Sequence, residues 1–394
     1  MKILFTVSTY YPLEDGVSRV TQYMAEGLAK KGHNVTVITS YCSNGSKREI
    51  HNGVLIKRVN LYTRCGLYFG NKKEYRRLLD KEVNDTDIMI NVCTQNAFTD
   101  VILNRLDKYK CKKILYMHGM FDFRFHKVDF SSIRSIVNKA WKEIRWFFYY
   151  KFNGNNFKKY NRVIQLHEMD YATSFFRKHY GIKSHIISNA ADNSFFNNEG
   201  SSIFHKPFVD YAIYVANYGD GKNQKLAISE FLKSNIDSHI GLVLIGSNEN
   251  NYSRYLLKYI NKKKKKLGFS DKEKPIALLY GIDRKEIPLY VSNAYLYLMT
   301  SKKEVFPVSL VESISCGTPF ISTDVGIARF LVGGVISKAN DIHYWIEFFF
   351  NNKKMRERYS KIALDYSEKE MTIKDKVKFF ESLLVDSCEA EGSK

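Results

Sequence analysis

The stretch from Ser301 to Gly326 reads SKKEVFPVSLVESISCGTPFISTDVG. Its apolar lead-in, YLYLMTS over 295–301, predicts an extended segment. After Pro307, the residues Val308, Val311 and Ile314 recur at helical spacing. Pro is tolerated in the first turn of a helix, and Ser309 is expected to cap an early turn. Gly317, followed two residues later by Pro319, ends the helix near Cys316. A second strand begins at Phe320. The unit is strand, loop, helix, strand, with Glu304 in the loop and Glu312 in the helix, seven residues between them. A loop entering a helix offers backbone N–H groups that suit a phosphate. A carboxylate further in suits neutral hydroxyls, as the acidic residue of a dinucleotide site suits a ribose. Taken alone, the two glutamates fit a polar helix face equally well.

The whole string is more specific than the pair. Glu304-Val305-Phe306-Pro307 with Glu312, then Ser315-Cys316-Gly317-Thr318-Pro319 and Asp324-Val325-Gly326, resembles the E-x7-E signature of the retaining glycosyltransferases of family 4. The resemblance implies an α/β protein of the GT-B type: two Rossmann-like, doubly wound domains with an interdomain cleft. It implies Glu312 on the ribose, Glu304 beside the donor sugar, and the backbone of Phe306, Pro307, Val308, Ser309 and Leu310 on the diphosphate and sugar. Val305 stands where the family usually has Gly, and Val permits fewer loop conformations.

At 394 residues the chain exceeds one ordinary core, so two domains are expected. Its 44% hydrophobic and 26% charged residues are those of a folded protein. No apolar run reaches membrane-spanning length, and the start of the chain lacks a cleavage site. The six cysteines (Cys42, Cys65, Cys93, Cys111, Cys316 and Cys388) show no metal-ligand spacing and read as reduced cytosolic thiols. The net charge of +20 implies anionic partners: phosphates, an anionic membrane surface or nucleic acid. No nucleic-acid-binding signature accompanies it, so nucleic acid is not expected.

Lys2 to Ser8, Val17 to Lys31 and Asn34 to Ser40 read as strand, helix, strand, hence a parallel crossover. Gly16 lies in the first turn, which lacks G-x-G-x-x-G, so no dinucleotide cofactor is expected. Gly16 is a turn glycine or a point of close ligand approach; the family's corresponding loop faces the donor diphosphate. Asp85-Thr86-Asp87 is a D-x-D string at a strand start and reads as a turn, not a metal site. His118 follows the strand Ile114 to Met117, at the sheet end where open parallel sheets bind ligands. The family frequently has a histidine there, touching the donor sugar. Ile133 to Phe148 carries an apolar helical stripe with Arg134, Lys139, Lys142 and Arg145 off it. The stripe is expected to pack on the sheet; a membrane surface is the other reading. Lys57 to Arg77, basic and aromatic with weak periodicity, reads as a flexible acceptor-side or membrane-facing loop.

Ser188-Asn189-Ala190-Ala191-Asp192 resembles the family's N-G-V-D at the end of the first domain, and 193–202 reads as the linker. The expected division is 1–200 for the acceptor side, 201–370 for the donor side, and 371–394 as a helix crossing back. In the second domain the family pattern of Arg, four residues, Lys is met by Lys222, with Asn217 where Arg is usual. Lys222 is a compact cation suited to phosphate. Gly281 and Ile282 follow a strand and, by the resemblance, approach the nucleotide base through backbone. The five-lysine run Lys262 to Lys266 reads as a solvated helix end.

The implied reaction moves a sugar from a nucleotide diphosphate sugar to a hydroxyl, with Lys222, Glu304 and His118 at the chemistry. It calls for no metal and no cofactor besides the donor. The acceptor is expected to be a glycan, polyprenyl-linked, in O-antigen or capsule assembly on the inner face of the cell membrane. An epimerase on the same fold and a catalytically inactive glycan-binding protein remain open as alternatives.

Overall fold

A computed structural model of the chain describes residues 1–13, 15–43, 45–121, 123, 125, 130, 132–196 and 204–389. The chain divides into two compact units, Met1–Ser188 with Lys374–Lys394, and Asn189–Ile373.

The first unit is built on an eight-stranded sheet. Its strands are β1 (Lys2–Thr6), β2 (Asn34–Ser40), β3 (Arg48–His51), β4 (Val54–Val59), β7 (Ile88–Val92), β8 (Lys112–Tyr116), β9 (Arg162–Gln165) and β10 (His185–Ile186). A separate hairpin joins β5 (Leu61–Arg64) to β6 (Leu67–Gly70). The sheet order is β10-β9-β8-β7-β1-β2-β4-β3, with only β3 antiparallel to its neighbour. Strand β7 is buried along its whole length, as an apolar strand covered on both faces must be. Helix Gly16–Lys30 returns β1 to β2; Asp15 caps it by accepting from Ser18 N–H at 2.8 Å, and Val20, Met24 and Leu28 face the core. The D-x-D string is structural: Asp87 accepts from the backbone N–H of Lys2 at 2.7 Å, and Asp85 pairs with the Lys2 ammonium.

The last helix, Ile373–Glu389, packs in this first unit from Lys374 onward. Phe380 is fully buried against Phe5 and Tyr116. Glu381 accepts from both Lys31 and His33 at 2.7 Å.

Two expectations for this unit are corrected. The Lys57–Arg77 stretch is ordered: it holds the end of β4, the hairpin, and the start of helix Lys72–Val83. The hairpin is fixed by Tyr68, whose hydroxyl donates to Asp100. Helix Ile133–Phe157 does not pack its apolar stripe on the sheet. It buries Trp146, Tyr150, Gly154 and Phe157, and leaves Ile133, Val137, Trp141, Ile144 and Phe148 exposed. Lys139, off that stripe, is buried, pairs with Glu143 at 2.8 Å and lies over the Phe121 ring. The helix has a second apolar face, carried by its C-terminal half, and the core takes that one.

The second unit holds β11 (Tyr211–Val215), β12 (Gly241–Gly246), β13 (Ile276–Tyr280), β14 (Leu296–Met299), β15 (Phe320–Thr323) and β16 (Gly334–Ser337). All are parallel, in the order β13-β12-β11-β14-β15-β16. This is the doubly wound arrangement, with its reversal between β11 and β14. The expected division at 200 moves to Ser188/Asn189, because the segment after Ser188 belongs to this unit. Asn189 donates to the Phe306 carbonyl at 3.0 Å, Ala191 N–H donates to the Met371 carbonyl at 3.0 Å, and Phe195 is fully buried. Of the expected linker, 197–202 lies outside the described residues. Within the lysine run, Lys264 is not solvated: it is buried and donates to the Asp271 carbonyl at 3.0 Å.

Gly27 is where helix Gly16–Lys30 meets the last helix. A Cβ there would lie 2.6 Å from a methyl of Val377. Gly27→Ala is expected to destabilise the protein by about 1–3 kcal/mol, read as a lowered melting temperature and faster proteolysis of the last helix. An unchanged melting temperature would show that this packing is not rigid.

Candidate active site

In the second unit the loops that matter follow the carboxyl ends of the strands. The 217–224 loop follows β11 and the 300–307 loop follows β14, the two strands flanking the reversal. They are stitched together by Tyr214 hydroxyl to Lys222 carbonyl (2.8 Å), Thr300 hydroxyl to Asn223 carbonyl (2.9 Å) and Lys302 N–H to Gly221 carbonyl (2.9 Å). Asn223 takes a left-handed conformation, φ +53°, which turns the loop into helix Gln224–Lys233. The result is a direct contact: Lys222 Nζ lies 2.6 Å from Glu304 Oε1. The Glu304 side chain is largely buried, that of Lys222 partly exposed.

The Glu304 loop is held from the other side by Gly326. A Cβ at Gly326 would sit 2.3 Å from the Val305 carbonyl oxygen, and Ile327 N–H donates to that same oxygen at 3.1 Å. With φ +54° as well, this position requires glycine. Val305 itself does not take a positive φ, so the loop reaches its shape without a glycine there.

Glu312 is buried in helix Val308–Ser315. Both of its oxygens accept from Arg284, one from Nη1 at 3.2 Å and the other from Nη2. The Arg284 guanidinium also lies 4.8 Å from the centre of the Phe195 ring. Sequence reasoning missed Arg284. The signal was its place, two residues past Ile282 in a loop at the carboxyl edge of the sheet. Asn217 is exposed, and its side-chain oxygen accepts from the Ser247 hydroxyl at 2.5 Å. Gly281 takes φ +62° and its N–H donates to the Ser247 carbonyl at 3.0 Å. Ile282, beside it, is partly exposed.

The helix N-terminus departs from expectation in two ways. The residue before the first turn is Pro307, and Ser309 makes no capping bond. Of the five backbone positions expected on a diphosphate, Pro307 has no N–H, and Leu310 N–H donates to the Pro307 carbonyl at 3.1 Å. Val308 and Ser309 are first-turn residues, whose N–H groups have no acceptor within their helix. Phe306 is buried and its carbonyl takes the Asn189 amide.

In the first unit, Gly16 opens helix Gly16–Lys30 with no atom within 4 Å of where a Cβ would project. Local packing does not demand glycine there. His118 follows β8 and stacks at a tilt on Tyr116, ring centres 4.6 Å apart. The residue is partly exposed, but its Nε2 is enclosed and has no hydrogen-bond partner. Burial lowers its pKa to about 3, so the imidazole is neutral at ordinary pH. An enclosed neutral ring is a hydrogen-bonding group rather than a charged one.

Between about pH 3 and 6.5 the unfolded chain binds a proton at His118 that the folded chain does not. Its contribution is complete above that window, and stability falls as the pH drops through it, by at most about 1.4 kcal/mol per pH unit. Urea unfolding from pH 7 to 5 is expected to show a shallower acid-side slope in His118→Asn. Removing Arg284 would leave the buried Glu312 carboxylate uncompensated. A cycle of Arg284→Ala and Glu312→Gln is expected to be non-additive by about 1–3 kcal/mol in stability; additive losses would mean that the pair does not act as a unit.

Residues 15–195 match the family model described as Glycosyltransferase Family 4, and 208–366 match Glycosyl transferases group 1. The chain is 30% identical over 105 residues to an uncharacterized 42.6 kDa protein in the cps region of Klebsiella pneumoniae, and that match spans 27% of the relative's length and 26% of this chain. Among solved structures, the sucrose-phosphate synthase of Thermosynechococcus elongatus is similar with a TM-score of 0.73 at 14% identity, covering 99% of this chain and all of that one. Anabaena HepE in complex with UDP gives 0.68 at 15% identity, covering 98% of this chain and all of that one. WaaG, a glycosyltransferase involved in lipopolysaccharide biosynthesis, gives 0.63 at 13% identity, with both chains fully covered. The fold is that of the GT-B glycosyltransferases, two Rossmann-like domains. Between them the two family matches take in most of both units, and the chain is a glycosyltransferase of the group 1 and family 4 type.

Proposed function

We propose that the chain transfers a sugar from a nucleotide diphosphate sugar to a hydroxyl of a glycan, retaining the anomeric configuration. The observation that carries this reading is the Lys222–Glu304 contact at the strand reversal of the second unit. A cation there faces the charge that develops on a departing diphosphate. The first-turn N–H groups of Val308 and Ser309 add donors for the same oxygens. In the step, the bond from the anomeric carbon to the diphosphate oxygen breaks. The bond to the acceptor oxygen forms on the same face, and the acceptor's proton passes to the departing phosphate. Glu304 is not the nucleophile: its carboxylate holds Lys222 and borders the sugar. The scheme routes no step through a metal. Glu312, neutralised by Arg284, accepts from the ribose hydroxyls, and His118 is a neutral partner for the donor sugar.

HepE binds UDP and UDP-glucose in its structures, so uridine donors head the screen. The cps-region relative and WaaG favour surface polysaccharide assembly, O-antigen or capsule. The acceptor is a polyprenyl-linked glycan on the cytoplasmic side of the membrane. A binding protein without turnover is the rival reading, and Asn217 motivates it: where the family pattern has arginine, this chain carries no charge.

A thermal-shift screen of UDP, GDP, ADP, CMP and their sugars decides first. A ligand at about 100 times its Kd stabilises the native state by about 2.7 kcal/mol. One nucleoside diphosphate is expected to raise the melting temperature of the wild type and not of Glu312→Ala. Donor hydrolysis is then expected to fall about 100-fold or more in Lys222→Ala. Stabilisation by a nucleotide with no turnover in the wild type would favour the binding protein.

A further inference from the structure

The helix Ile133–Phe157 is apolar on two opposite sides. One side enters the core through Trp146, Tyr150 and Phe157. The other carries Ile133, Val137, Trp141, Ile144, Phe148 and Phe152, which are between 48% and 82% exposed. These positions recur every three or four residues and form one stripe along the helix. Large apolar residues scattered singly on a surface need no explanation, but a contiguous row of six on one helix does.

The surroundings indicate what covers this row. Arg134, Lys142 and Lys151 are exposed along the helix. Its one acidic residue, Glu143, is partly buried and paired with Lys139. The outer surface of the helix is therefore apolar and cationic, with no exposed carboxylate among its described residues. Lys151 lies near the Phe147 ring, 5.7 Å from its centre, its stem alongside apolar surface.

The hairpin β5–β6 continues this surface. Gly66, at its turn, accepts from Arg145 of the helix, and Tyr68 and Tyr149 both donate to Asp100, one from each element. Strand alternation puts Tyr68 inward and leaves Tyr62, Leu67 and Phe69 outward, all exposed, with Tyr62 and Phe69 stacked across the strands. Arg64 pairs with Leu67 on the same outward side. Helix and hairpin thus carry the same composition and are pinned to one another.

We infer that this helix-and-hairpin surface lies on an anionic phospholipid bilayer, with the apolar row in the headgroup boundary and the arginines and lysines at the phosphates. A second copy of this chain is a poor occupant. A two-fold contact would lay this cationic helix surface, which has no exposed carboxylate among its described residues, on a copy of itself, and like charges across an interface are unfavourable. No helix among the described residues is long and apolar enough to cross a membrane, so the mode is interfacial. The inference rests on the proposed lipid-linked acceptor only for its purpose. Docking is read without any substrate, and donor hydrolysis without any vesicle, so each can fail alone.

The test uses the full chain with vesicles of phosphatidylcholine, with or without phosphatidylglycerol, in flotation and in tryptophan fluorescence. The wild type is expected to float with phosphatidylglycerol vesicles, with a blue shift that Trp141→Phe abolishes. Ile144→Glu with Phe148→Glu is expected to lower binding by about tenfold or more, with an unchanged melting temperature because both sites are exposed. Lys142→Glu and Arg134→Glu are expected to lower it by about fivefold each or more. Binding that survives the double variant but disappears with salt would overturn the inference in favour of net charge alone. A wild type that stays in solution as a dimer which the double variant breaks would overturn it in favour of self-association. No flotation of a folded, monomeric wild type would overturn it outright.

Discussion

A strand cannot run parallel to its neighbour without a crossover that carries the chain back over one face of the sheet, and this constraint decides where side chains of either unit can meet a ligand. Crossover helices occupy the faces, which leaves the carboxyl edge. In the second unit the strand order reverses between β11 and β14, so crossovers leave these two strands in opposite directions and their loops stay side by side. Lys222 comes from one loop and Glu304 from the other. Their 2.6 Å contact follows from topology, although 81 residues of chain separate them. The first unit reverses between β1 and β7, and Gly16 follows β1 there. His118 follows β8, one strand further along.

The two carboxylates of the candidate site are both largely withdrawn from water and both held by a cation: Glu304 by Lys222, Glu312 by Arg284. A buried carboxylate without such a partner is costly. The two pairs differ in what they permit. Lys222 meets Glu304 through one oxygen and remains partly exposed, so its other ammonium hydrogens are open to a phosphate. Arg284 engages both oxygens of Glu312, and each carboxylate oxygen has a second lone pair to offer. The proposed ribose contact calls on those lone pairs and leaves the arginine in place. The same geometry makes the Phe195 ring, which lies against the guanidinium, part of what orients Glu312.

What was legible in the sequence was what depends on local pattern. The strand, loop, helix, strand reading of 295–322 follows from spacing and from Gly317 and Pro319, and the helix does end at Ser315. Lys222 and Glu304 were legible as residues of a motif; their contact needed the strand order. Arg284 was not legible, because a charged residue in a polar turn looks like any solvated one until a buried carboxylate is placed beside it. Ser309 does not cap for a similar reason: capping depends on where the first turn starts, and Pro307 holds the position just before it. The buried face of helix Ile133–Phe157 was not legible, because periodicity locates an apolar stripe without saying which of two stripes the core takes.

That last case separates folding from the rest of what a helix does. The stability of Ile133–Phe157 comes from Trp146, Tyr150, Gly154 and Phe157, which enter the core, and from Lys139 paired with Glu143 and set over Phe121. None of these interactions uses the outward row. Replacing an exposed isoleucine or phenylalanine by a polar residue ordinarily changes stability by no more than about 0.5 kcal/mol, so folding does not require Ile133, Val137, Ile144 or Phe148 to be apolar. Solubility favours the opposite choice. An apolar row that neither folding nor solubility demands is a property of the surface, and its meaning lies in what that surface touches. Because the row is bordered by Arg134 and Lys142 and by no exposed carboxylate of its own helix, a partner that offers hydrocarbon beneath fixed negative charge satisfies both parts of it at once.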